Sequence, residues 1–136
     1  RSLAITLWAI NMKLPIEYRW LKAHSFEGLR PWYFVDPSKS EGLRKEYQLE
    51  TGKDIIPIAR RQDNDEFAGF EIIDNEIQNK VLTVHLTWSS KLERANYPSI
   101  TESKSIFKWL EQVVIPETID WINEDELEDI LGTEND

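Results

Sequence analysis

The chain has no cysteine, one methionine and two histidines among its 136 residues. The lack of cysteine excludes disulfides, thiolate zinc sites and a cysteine nucleophile together, and it agrees with a reducing compartment, so a cytoplasmic location is expected. His24 and His85 have no second ligand or catalytic partner at a recognised spacing. His85 reads instead as an ordinary strand histidine between Thr83 and Thr87. No G-x-S-x-G, H-E-x-x-H, Walker A or G-x-G-x-x-G motif occurs. The expectation is a protein that is not an enzyme, with no catalytic, cofactor-binding or metal-binding residues. No apolar run reaches the roughly 18 to 20 residues of a membrane span. The opening R-S-L-A-I-T-L-W-A-I-N has a single positive charge before its apolar part and no small-residue cleavage site, which argues against a secretory signal. Met12 begins M-K-L-P-I-E-Y, a sensible start, so the expectation is one domain over residues 12–136 preceded by an N-terminal extension at residues 1–11.

The most uneven absence is that of basic residues near the end. Residues 117–136 hold nine acids and no Lys or Arg, whereas the rest of the chain balances 16 acids against 16 bases. The net charge of -9 therefore belongs to one terminal element. Its field repels phosphate backbones and anionic membranes and attracts basic proteins, so the expected partner is a protein and not nucleic acid or a membrane. With 40% hydrophobic and 11% aromatic residues the chain is globular in composition, not disordered. A chain of this length can bury roughly 68% of its unfolded surface without covalent staples.

Pro15 suits the first turn of a helix of about two turns, with Glu17 near its positive end and Tyr18 and Leu21 on one face. Arg30 to Val35 reads as a strand stopped by Asp36-Pro37. Ser38 with Glu41 matches a capping box that opens a helix through Leu43, Tyr47 and Leu49 to a Gly52 stop. Ile55 to Ala59 is a strand weakened by Pro57, Gln62 to Glu66 a turn, and Phe67 to Ile73 a second strand. Asp74 to Asn79 reads as another turn and Val81 to Trp88 as a third strand with Leu82, Val84, Leu86 and Trp88 facing the core. After a loop from Ser89 to Pro98, a helix from about Glu102 to Val114 buries Ile106, Phe107, Leu110, Val113 and Val114, and Pro116 breaks it. A separate acidic amphipathic helix spans residues 117–131, with Ile119, Ile122, Leu127, Ile130 and Leu131 as its stripe and Gly132 as its stop. That stripe predicts docking on the domain; its unbalanced charge predicts steering of a basic partner, and both expectations stand. The fold class is α+β, an antiparallel or mixed sheet flanked by helices. Ile55, Phe70, Leu82, Val84, Leu86, Phe107 and Leu110 are expected to form one contiguous core, with Trp88 mostly buried.

Asp63-Asn64-Asp65-Glu66 invites a calcium reading, but an EF-hand count puts Phe67 at the fifth position and Ala68 where glycine is needed. A polar hairpin turn fits better. Arg60 and Arg61 point to opposite faces of a strand, so one should pair with a turn acid while the other is solvated. Candidate partner-binding residues are the turn acids Asp63, Asp65 and Glu66, the tryptophans Trp109 and Trp121, and the tail acids Glu124, Asp125, Glu128 and Asp129.

L-P-I-E-Y-R-W-L at Leu14 to Leu21, I-I-P-I-A-R-R-Q-D-N-D-E-F-A-G-F at Ile55 to Phe70, V-L-T-V-H-L at Val81 to Leu86 and I-F-K-W-L at Ile106 to Leu110 resemble, in that order, the motifs of the SUKH superfamily. Asn64-Asp65 replaces the Gly-Asp common in that turn, and the Gly-rich turn after the first helix is here Ala23-His24-Ser25-Phe26-Glu27-Gly28. The resemblance implies a SUKH-like single α+β domain. It further implies a bacterial immunity protein that neutralises a cognate toxin, often a nuclease, by occlusion. The alternative it implies is a regulatory or scaffold domain that binds a cellular partner.

Overall fold

Five strands pair antiparallel in chain order in the computed structural model, which describes residues 14–88 and 97–134. The expected extension at 1–11 with Met12, and residues 89–96 of the expected loop, lie outside the described residues. Helix α1 (Ile16–Ala23) precedes β1 (Trp32–Phe34); a 3-10 turn at Pro37–Lys39 leads into α2 (Glu41–Thr51). Strands β2 (Asp54–Arg61), β3 (Phe67–Ile73), β4 (Glu76–His85) and β5 (Ser99–Ser103) follow, and a continuous helix α3 runs over 106–134. The fold is α+β, a sheet flanked by helices, as the sequence predicts; among the described residues the sheet has five antiparallel strands where four were expected, and there are three helices where four were expected. No helix among the described residues is long and apolar enough to cross a membrane.

Alternation along the strands sends successive side chains to opposite faces, and here both faces are covered. On one side Ile56, Ile58, Ala68, Phe70, Ile72 and Val81 meet Tyr18 and Leu21 of α1 and Ile106, Trp109 and Val114 of α3. On the other, Ile55, Phe67, Leu82, Val84 and Leu86 meet Leu43 and Tyr47 of α2. The single core expected from the apolar pattern is therefore two. Leu82, Val84 and Leu86 are buried as expected but pack against α2, while Phe107 is 43% exposed and belongs to neither core. Gly69 faces Pro57 across the β2–β3 pair, and a methyl group there would run into the carbonyl oxygen of Ile56.

Several local expectations are corrected. Ser38 is not the α2 cap; its N–H and hydroxyl both donate to Asp36, at 2.9 and 2.7 Å, which caps the preceding 3-10 turn. Leu49 points to solvent, but Gly52 ends α2 at φ 73° as expected. Pro57 lies at a bulge where β2 is paired with β3 alone, and β2 has partners on both sides further along, at Ala59 and Arg60. The β3–β4 turn is two residues, Asp74 and Asn75, at φ 51° and 65°; short polar residues tolerate this left-handed pair, and β4 starts three residues earlier than the expected end of the turn. Strand β4 ends at His85, and Trp88, at φ 59° and 40% exposed, turns outward instead of entering the core. Glu50 holds this end, accepting from the N–H groups of Thr87 and Trp88 at 2.9 Å each. β5 occupies the start of the expected helix; S-I-T-E-S lacks an apolar alternation because it is an edge strand, exposed along most of its length.

Candidate protein-binding surface

Helix α3 has two apolar sides, and its irregularities create the second one. Ser105 opens it by accepting from the N–H of Lys108 at 3.2 Å, three residues after the expected start. The first turn, Ile106–Trp109, is followed by a π turn at Leu110–Val114, an α segment at Ile115–Trp121, a second π turn at Ile122–Glu126 and a final α segment at Leu127–Glu134. Neither Pro116 nor Gly132 stops it, and the acidic element is its C-terminal part and not a separate helix. Proline removes a donor and crowds the carbonyl four residues back, and the wider i→i+5 ladder immediately before Pro116 accommodates both.

The inner side carries Ile106, Trp109 and Val114 into the core. Trp109 lies edge-on to Trp32, with centroids 5.3 Å apart, and its indole N–H donates to the Thr83 hydroxyl at 3.0 Å. Further along, the Glu117 carboxylate accepts from Trp32 Nε1 at 2.8 Å and from Arg61 at 2.7 Å. Arg61 also grips Asp63 at 2.6 Å and approaches Glu66 at 3.7 Å, so one guanidinium ties the β2–β3 turn to α3. Burial opposes the charge on Arg61, but the Asp63, Glu117 and Glu66 carboxylates outweigh it and hold its pKa above the ordinary value. The last anchor joins Trp121, whose indole N–H donates to Glu126, and Arg30, 3.5 Å from that same carboxylate.

The outer side carries Phe107, Ile115, Ile119, Ile122, Leu127 and Ile130, between 36% and 52% exposed. Steps of four and three residues take Ile115 to Ile119 and Ile122 along one line. In regular α geometry Leu127, five residues on, would stand well round the helix; the second π turn brings it back into line. The first π turn does the same for Phe107 and Ile115. At the N-terminal end the stripe continues onto α1, where Ile16, Trp20 and Phe107 line an open depression of about 330 Å³ with Glu17.

The candidate residues fall into three environments. Asp63 and Glu66 are engaged by Arg61, and Asp65 lies exposed in the turn that Asn64 closes by accepting from the N–H of Glu66 at 2.8 Å. Trp109 is 1% exposed, which removes it from any surface, whereas Phe107, expected inside, is 43% exposed: the helix is turned so that Ile106 and Trp109 face the sheet. Trp121 is half-buried at the rim, and Glu124, Asp125, Glu128 and Asp129 lie exposed along the end of α3. Ile119, Ile122, Leu127, Ile130 and Leu131 do not dock on the domain. Phe107 and Ile115 extend the expected stripe toward the start of α3, and that extension is the part that sequence reasoning missed. Its signal was that 106–131 contains more apolar residues than one side of a helix can bury. Among the described residues, no three Asp, Glu or His side chains gather to hold a metal ion; His24 lies tilted against Trp20 and His85 edge-on to Tyr97, with centroids 4.3 and 5.1 Å apart.

No family model, curated protein or solved structure matches this chain.

Proposed function

We propose that this chain is a protein-binding immunity domain that neutralises a cognate bacterial toxin by occlusion, with a basic catalytic domain such as a nuclease as the target. The observation that carries the reading is the combination on α3 of an uncovered apolar stripe with an acidic segment free of basic residues. An inhibitor of this kind needs a complementary surface and no catalytic group, and an acidic face steers association with a basic groove. The resemblance of four ordered motifs to the SUKH superfamily supports the same reading. The motifs stand on α1, on β2–turn–β3, on β4 and at the opening of α3.

Co-expression with the C-terminal domain of a large toxin-like protein encoded beside this chain tests it. The expected result is restored growth in cells that the toxin domain alone arrests, together with a stable complex on purification. Arrest that persists although the chain is well expressed contradicts the immunity reading. The exposed stripe also suits the second reading, a regulatory or scaffold domain, because it would seat any amphipathic partner; capture of a cellular enzyme with no effect on toxin arrest favours that one.

A further inference from the structure

We propose that the outward stripe of α3, from the Ile16–Trp20–Phe107 depression to Ile130, is the docking face for a basic amphipathic helix. This deepens the reading of the chain as a protein binder and rests on it. Six apolar side chains on one line of a helix, each more than a third exposed, form the kind of face that helix-in-groove recognition uses. The line extends over about 36 Å at 1.5 Å per residue, the length of a partner helix of about 24 residues.

Charge selects the occupant. Asp120, Glu124 and Glu128 recur every four residues and form an exposed row beside the stripe, and no Lys or Arg occurs between 117 and 136 to neutralise them. A second copy seated on this face would bring another row of the same sign against the first, which disfavours self-association. A helix with leucine-type residues on one side and Lys or Arg beside them answers both features, in the manner of charged positions that flank a coiled-coil seam.

The test uses the full chain and three labelled peptides of about 24 residues: a Leu/Lys/Arg amphipathic helix, the same apolar pattern with Glu in place of Lys and Arg, and a scramble of the basic peptide with no apolar side. Fluorescence anisotropy should show binding of the first, at least ~10-fold weaker binding of the scramble, and none of the acidic peptide. Ile115→Ser with Ile119→Ser should weaken the first peptide ~10-fold or more while leaving thermal unfolding unchanged, since both side chains are exposed. Asp120→Asn with Glu124→Gln and Glu128→Gln should weaken it at low salt and flatten the salt dependence. Equal binding of the scramble, or no effect of the serine pair, overturns the proposal. So does sedimentation of the parent as a dimer that the serine pair dissociates, because the occupant is then a second copy. The peptides contain no toxin, so this outcome is independent of the growth assay: rescue without peptide binding removes the docking helix alone, and peptide binding without rescue removes the immunity reading alone.

Discussion

Asp54 shows how a few side chains keep this fold in register. Arg44 of α2 donates to both of its carboxylate oxygens at 2.8 Å, Gln48 adds a bond at 2.9 Å, and the N–H of Ile55 another at 2.9 Å. The carboxylate thereby fixes α2 to the start of β2 and with it the second core. Burial by itself would raise this carboxyl, but the hydrogen bonds and charge of Arg44, with Gln48 and the Ile55 N–H, hold its pKa below the ordinary value. A depressed folded-state pKa means that the stabilisation is complete above the unfolded value of about 3.9 and is lost as pH falls through the folded value. Asp54→Asn should therefore cost about 1.5 to 3 kcal/mol at neutral pH, the range for hydrogen bonds to a charged group. The penalty should begin to shrink below about pH 4, where the carboxyl of the unfolded parent becomes protonated, and should vanish as pH falls through the lower value of the folded state. Urea unfolding of both proteins from pH 7 to 3 measures this; a penalty that stays constant over that range contradicts the assignment. Arg61 acts in the same way on the other side of the sheet, and the sequence expectation that one of Arg60 and Arg61 pairs with a turn acid is met by Arg61 and Asp63.

At the scale of elements, what was legible in the sequence follows from how each element obtains its stability. β3 begins and ends where expected because its six apolar or small residues are bounded by a polar turn on one side and Asp74-Asn75 on the other. α1 and the Gly52 end of α2 were legible through local rules of capping and spacing. β5 was not, because an edge strand takes its partner from β4 and needs no apolar period of its own. The phase of α3 was not either, because two apolar sides give overlapping spacings and only packing against Thr83 and Trp32 decides which side turns inward. That decision has a measurable consequence. Trp109→Ala should destabilise the protein by about 3 to 5 kcal/mol through lost burial and a cavity, whereas Phe107→Ala should change stability by about 1 kcal/mol or less. Chemical denaturation of the pair checks it; a larger loss for Phe107→Ala would mean that the helix is turned the other way.

For the whole molecule, charge and shape divide the labour. The sheet, covered on one face by α2 and on the other by α1 and the first half of α3, holds the two cores, while α3 carries the outward apolar stripe and, toward its C-terminal end, the acids that no base balances. Of this arrangement the sequence showed the acidic segment but left open whether its stripe docks. The structure leaves that stripe exposed because Trp109, Val114 and Glu117 already occupy the side of α3 that faces the sheet. The central claim, that α3 recognises a basic protein, is tested most directly by stopped-flow mixing with an inactivated toxin domain at two salt concentrations. Parent chain and the variant with Glu124→Gln, Asp125→Asn, Glu128→Gln and Asp129→Asn are compared. All four side chains are exposed, so the variant should fold as the parent does, and its association rate should be ~10-fold lower or more at low salt, with the gap narrowing as salt screens the field. Equal rates with equal salt dependence would contradict the claim.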